Sequence, residues 1–91
     1  MRLDLSPEAK QTLLDITEYT LLVWGKKQSQ IYFNSFKNIF ESIATLPHLG
    51  RFLYALNGVE HRRIVHREHI IIYFIIGDLV FVSRIKSHYQ R

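Results

Sequence analysis

Apolar positions along the chain follow two regimes, a helical period of about 3.6 residues and then a strand period of two, and the change comes near Gly58. Before either, Leu3 and Leu5 alternate with Arg2 and Asp4, which predicts a short N-terminal strand with its leucines on one face. Ser6-Pro7-Glu8 reads as a helix start: a hydroxyl N-cap, a proline where its missing N–H costs nothing, and an acid where the helix dipole favours it. Ala9, Leu13, Ile16, Thr20 and Val23 then recur at helical spacing. Gly25 supplies the C-cap, with Lys26 and Lys27 expected in the turn. A second helix, under way by Gln28, repeats the stripe through Tyr32, Phe36, Ile39, Ile43 and Leu46 until Pro47 ends it. Residues 7–46 therefore read as an antiparallel helical hairpin with Trp24-Gly25 as its structural corner.

The stretch from Pro47 to Gly58 is the least periodic and is expected to be a crossing loop. Residues 60–87 carry three strands, "EHRRIVH", "HIIIYFII" and "LVFVSRI", the last two joined by a two-residue turn at Gly77-Asp78. An unbroken register from that turn sets Ile76 opposite Leu79, Tyr73 opposite Val82, Ile71 opposite Arg84 and His69 opposite Lys86. The face with Ile70, Ile72, Phe74, Ile76, Leu79, Phe81 and Ile85 is then expected to pack on the helices. The other, with His69, Ile71, Tyr73, Ile75, Val80, Val82, Arg84, Lys86 and, if the strand runs on, His88, is left open, half apolar and half basic, as a surface for a partner. The expectation is a single α+β domain over residues 1–91: an N-terminal strand and two helices packed on one face of a mainly antiparallel sheet.

Charge adds a direction to this picture. Residues 1–46 hold five basic and five acidic side chains, whereas residues 47–91 hold seven basic, three acidic and all five histidines. The second half is therefore where an acidic or polyanionic partner is expected. There is no cysteine, which excludes disulfides and thiolate metal sites, and the histidines lack the spacing of a zinc site, so neither metal nor cofactor is expected. No apolar run is long enough to span a bilayer and the N-terminus has no signal-peptide core, so the reading is cytoplasmic, with no membrane partner.

Candidate chemistry gathers at the end of the chain. Arg62, Arg63, Arg84, Lys86, His88 and Tyr89, with His69 and Tyr73 nearby, supply the residue types for RNA cleavage: an imidazole or phenol as acid and base, and guanidinium groups for phosphate charge. The same residues also serve a bland purpose, since basic side chains keep an apolar sheet edge soluble. Both readings stay open on residue types alone.

In order along the chain, Ser6-Pro7, Trp24-Gly25, Leu46-Pro47 with Leu49-Gly50, Arg62-Arg63, the His69 to Tyr73 stretch and Arg84 resemble the RelE/ParE superfamily of type II toxin-antitoxin toxins, and within it the ParE branch. That resemblance implies a β-α-α-β-β-β fold and a toxin that inhibits DNA gyrase without catalytic residues. It also implies a cognate acidic antitoxin whose tail folds over the toxin as helix or added strand, giving a hetero-oligomer. Arg62, Arg63, His69, Ile71, Tyr73, Val82, Arg84 and Lys86 would then meet target or antitoxin. The ending His88-Tyr89 is similar instead to the ribonuclease branch, which implies a ribosome-dependent mRNA endonuclease with His88, Tyr89, Arg63 and Arg84 as its catalytic set. That branch also uses a glutamate in the crossing loop, and none lies between Glu41 and Glu60. A third reading is a non-toxic member that only binds its antitoxin as a co-repressor.

Overall fold

The computed structural model describes residues 1–87. The elements run β1 (Arg2–Leu5), α1 (Pro7–Trp24), α2 (Lys26–Thr45), β2 (Arg51–Leu56), β3 (Val59–His66), β4 (His69–Ile76) and β5 (Leu79–Ser87). The strands form one sheet in the order β1-β5-β4-β3-β2, antiparallel throughout except that β1 lies parallel to β5. The helical hairpin covers one face, as the sequence pattern predicts.

Ser6 does more than cap α1. Its hydroxyl accepts from the Ala9 N–H at 2.9 Å and donates to the Ser83 carbonyl at 2.8 Å, while its own N–H reaches the Val82 carbonyl at 2.8 Å. The first helix is thereby pinned to β5 at the point where β1 ends. At the other end the corner is tighter than expected: Lys26 and Lys27 begin α2, and Gly25 alone turns the chain. Its φ of 92° lies where a Cβ would be strained, so one glycine closes α1 through its N–H to Leu21 and opens α2 through its carbonyl to Ser29. Ser29, buried, also donates to the Thr17 carbonyl at 3.0 Å and ties the two helices side by side.

Two expectations are corrected. Residues 51–56 are strand β2, not loop, because Asn57 (φ 51°) and Gly58 (φ 78°) both take left-handed conformations and form a tight turn that returns β2 against β3. Asn-Gly is the strongest short-range hairpin signal a sequence offers. The sheet therefore has a fifth strand. The second correction concerns the β4–β5 register: it follows the expected pairing from Ile76↔Leu79 to Tyr73↔Val82, then slips by one at a bulge, giving Ile72↔Arg84, Ile71↔Ile85, Ile70↔Lys86 and His69↔Ser87.

The faces are the reverse of those expected along β4 and along β5 as far as Val82, and the bulge switches β5 beyond that point. Ile71, Tyr73, Val80 and Val82 are fully buried and, with Ile85, pack on Ala9, Phe36, Phe40 and Ile43 of the helices. The face expected to be open is thus the covered one up to Val82, while Arg84 and Lys86 stay with Ile70, Ile72, Phe74 and Phe81 on the face that the helices leave free. One extra residue at Ser83 lets β5 bury Val82 and Ile85 yet turn Arg84 outward, which strict alternation forbids.

Candidate functional site

The free face is organised in cross-strand rows. Arg51 is paired with Arg63, Arg63 with Ile72 and Ile72 with Arg84, so three guanidinium groups share one line across β2, β3, β4 and β5. The neighbouring line is aromatic: Tyr54 stacks on His61 (ring centroids 4.6 Å, interplanar angle 19°), His61 meets Phe74 at 5.2 Å, and Phe74 meets Phe81 at 5.1 Å. On the far side of the arginine line, Val65, Ile70 and Lys86 make a third row. The arginine line therefore runs between an aromatic row and a row of two aliphatic side chains that ends in Lys86.

Charge on this strip is largely uncompensated. Arg84 Nε lies 3.6 Å from Glu8 Oε1, with both side chains more than half exposed. Among the described residues, Arg51 and Arg63 have no carboxylate within ion-pairing distance. Two like charges directly opposite one another on adjacent strands destabilise a sheet, so the Arg51–Arg63 pair works against folding. The titratable groups beside the strip are few. His61 is held between two rings with Nδ1 on the Val59 carbonyl at 3.1 Å, and Asp4 sits across from Phe81.

Other expected site residues lie elsewhere. Arg62 belongs to the helix side: it donates to the Gly50 carbonyl at 2.7 Å and to Glu60 at 2.6 Å, and its guanidinium stands 5.9 Å over the Phe52 ring. Tyr73 completes this clamp by donating to the Pro47 carbonyl at 2.7 Å and accepting the Gly50 N–H at 2.9 Å, and burial raises its phenol above the usual value. A Cβ on Gly50 would lie 2.7 Å from both the Arg63 carbonyl and the Tyr73 hydroxyl, so only glycine lets the crossing segment approach so closely. Arg62, Tyr73, Ile71 and Val82 thus lie on the helix side of the sheet, where they hold the fold. Of the arginine-lysine set, Arg63, Arg84 and Lys86 remain on the free face, and Arg51 joins them. Arg51 is not among the expected site residues, because the segment around it carries no period and reads as a loop. His88 and Tyr89 lie outside the described residues.

His69 faces the helices. Its Nδ1 is 2.9 Å from the Tyr32 hydroxyl, and its cross-strand partner His66 places Nε2 at 2.9 Å from the Ser35 hydroxyl. Both imidazoles pack edge-on against Phe36, at 4.8 Å for His66 and 5.8 Å for His69. Burial lowers both pKa values, helped at His66 by the adjacent Arg67 and opposed at His69 by Glu68. Burial likewise raises the Tyr32 phenol. Beside this cluster a groove of about 810 Å³ opens between α1 and the β3–β4 turn, walled by Asp15, Tyr19, Trp24, Tyr32, Arg67 and Glu68. Trp24, 69% exposed, stands at its lip, so the corner tryptophan is a surface residue. Among the described residues no group of histidine and acidic side chains could hold a metal ion, and no helix is long and apolar enough to cross a membrane.

Residues 3–91 match a family described as the ParE toxin of the type II toxin-antitoxin system, parDE. Among solved structures, the chain is similar to one from a chromosomal ParDE toxin-antitoxin system of P. aeruginosa, with a TM-score of 0.74 and 14% identity over 96% of this chain and 95% of that one. No curated protein matches it.

Proposed function

The chain belongs to the ParE toxin family of type II toxin-antitoxin systems, and from that premise we propose that it arrests growth in the cytoplasm by binding DNA gyrase and blocking it. A ParDE system implies a cognate antitoxin, and we take that partner to be acidic and to neutralise the toxin in a hetero-oligomer. The observation that carries this reading is the free sheet face, where the Arg51, Arg63 and Arg84 line is flanked by the aromatic row and by Val65, Ile70 and Lys86. A surface of that kind suits recognition of a large acidic protein surface. His61, the imidazole beside the strip, is engaged by its neighbours on both sides, which fits binding better than proton transfer.

Purified protein added to gyrase with relaxed plasmid should abolish supercoiling, and the triple change Arg51→Glu, Arg63→Glu, Arg84→Glu should restore it. Untouched supercoiling together with cut message in a translation extract would instead establish the endonuclease reading, and replacing His88 and Tyr89 should then stop the cutting. Binding to the antitoxin without growth arrest would make the chain a co-repressor.

A further inference from the structure

The groove between α1 and the β3–β4 turn has two walls made of the same kinds of group, and they differ in one part. On the turn side the Arg67 guanidinium lies 5.5 Å from the centre of the Tyr32 ring, with Glu68 next to it in the chain. A ring face and a nearby carboxylate both favour a cation there. The Tyr32 ring is fixed in place: its hydroxyl is 2.9 Å from His69 Nδ1, and Phe36 meets it edge-on at 5.3 Å. On the opposite side α1 contributes Asp15 and Tyr19, one turn apart, and Trp24 at its end. Tyr19 is 64% and Trp24 69% exposed, and among the described residues neither ring has an aromatic or cationic partner. Asp15 accepts from the Gln11 amide at 2.9 Å, and no cation among the described residues comes within ion-pairing distance of it. This wall has the rings and the carboxylate but not the cation.

The charge of the groove points the same way. Arg67 balances one of the carboxylates Asp15 and Glu68, and His69, its pKa lowered by burial, adds no charge near neutral pH. One negative charge is left over, in a chain whose net charge is +4. We propose that the α1 wall binds a free, small organic cation of the guanidinium class, its plane over the rings of Tyr19 and Trp24 and its N–H groups on the Asp15 carboxylate. A guanidinium suits this wall better than an ammonium, because it is flat, weakly hydrated, and able to stack on a ring and donate two parallel hydrogen bonds to a carboxylate. The groove, about 810 Å³, is of the size that takes a small molecule and leaves room for the body that carries the charged group. It lies on the helix side of the sheet, away from the arginine line, so the inference is independent of whether gyrase is the target.

Trp24 is the one tryptophan in the chain, so its emission reports occupation of the groove directly. Titration with N-butylguanidinium should change that emission saturably, with a Kd on the order of 1 mM. Asp15→Asn and Tyr19→Leu, both at exposed positions that the fold does not depend on, should each weaken binding about tenfold. Glu41→Gln, which removes an exposed acid of α2 outside the groove, should leave it unchanged. N-butylammonium has the same charge and chain but no plane, and should bind about tenfold more weakly. Equal binding of the two cations, or an equal loss in Glu41→Gln, would mean general attraction to acidic groups and overturns the site. So does the absence of any saturable change up to about 20 mM N-butylguanidinium. Tighter binding of a blocked glycine-arginine-glycine peptide than of N-butylguanidinium overturns the free ligand, since the group would then arrive on a protein chain.

Discussion

The two faces of the sheet are made from alternate residues of the same strands and are nearly equal in apolar content, yet one is sealed and the other is free. Ile71, Tyr73, Val80 and Val82 on the sealed face are fully buried; Ile72, Phe74 and Phe81 on the free face are half-buried by their neighbours alone. Apolar content therefore does not decide which face the helices take. Polar handles do. Tyr73 reaches across to satisfy Pro47 and Gly50, and His69 reaches Tyr32, so the sealed face carries hydrogen-bonding groups whose partners lie on α2 and the segment after it. The free face carries guanidinium groups, which cannot be buried against the helices without carboxylates to meet them.

Truncating the same side chain on each face breaks this comparison most sharply. Ile71→Ala should cost about 2–5 kcal/mol of stability, because it opens a cavity between sheet and α2. Ile72→Ala, one residue away, should cost about 1 kcal/mol or less yet weaken partner binding. Urea titration of the two variants measures the difference. Equal losses would mean that the free face is already covered in the isolated protein.

Removing a handle comes next. Tyr73→Phe keeps the buried ring but leaves the Gly50 N–H and the Pro47 carbonyl without their phenol partner, at a cost of about 1–3 kcal/mol. Faster amide exchange at Gly50 should accompany it. A neutral result would show that water replaces the hydroxyl and that the handle does not set the face.

Most of the fold was legible in the sequence, and the exceptions have physical causes. Ser6-Pro7, Gly25 and Pro47 punctuate the helices through local backbone chemistry, which needs no tertiary knowledge. Asn57-Gly58 is equally local, but "RFLYAL" before it shows no alternation and does not read as a strand: an edge strand exposed on both faces has no buried side to impose one. The inverted faces have a deeper cause. Strict alternation puts Val82 and Arg84 together, so any unbulged register must either bury the arginine or expose the valine. Ser83 resolves this conflict, and no periodicity announces a bulge. Of the candidate residues, the structure places Arg63, Arg84 and Lys86 on the free face; Arg62 and Arg63 look equivalent in the sequence, but alternation sends neighbours to opposite faces and only the Gly50 approach shows which one is held inside.

The histidine handles make the sealed face sensitive to acid. Burial holds the folded-state pKa of His66 and His69 below the ordinary 6.5. A depressed histidine pKa means that the unfolded chain binds protons first as the pH falls. The stability these groups contribute is therefore complete above about pH 6.5 and is lost as the pH falls through that value towards the folded-state pKa. Denaturation midpoints should fall over that range, and the double change His66→Gln, His69→Gln should flatten the dependence. The arginine variants of the free face should leave its shape unchanged.

The smallest effect separates the faces most cleanly at a single residue. Arg84 is on the free face by register but its Nε approaches Glu8 at 3.6 Å, so it could belong either to the fold or to the partner surface. Ion pairs this exposed contribute about 0–1 kcal/mol, and a single contact longer than a hydrogen bond lies at the low end. Arg84→Gln is the better probe than Glu8→Gln, since Glu8 also interacts with the N-terminal dipole of α1 and its loss would mix two effects. Stability should change by less than about 0.5 kcal/mol, while inhibition of gyrase or binding of the antitoxin falls several-fold and does so more at low salt. A stability loss well above that figure would assign Arg84 to the fold, and the basic strip would shrink to the like-charge pair of Arg51 and Arg63.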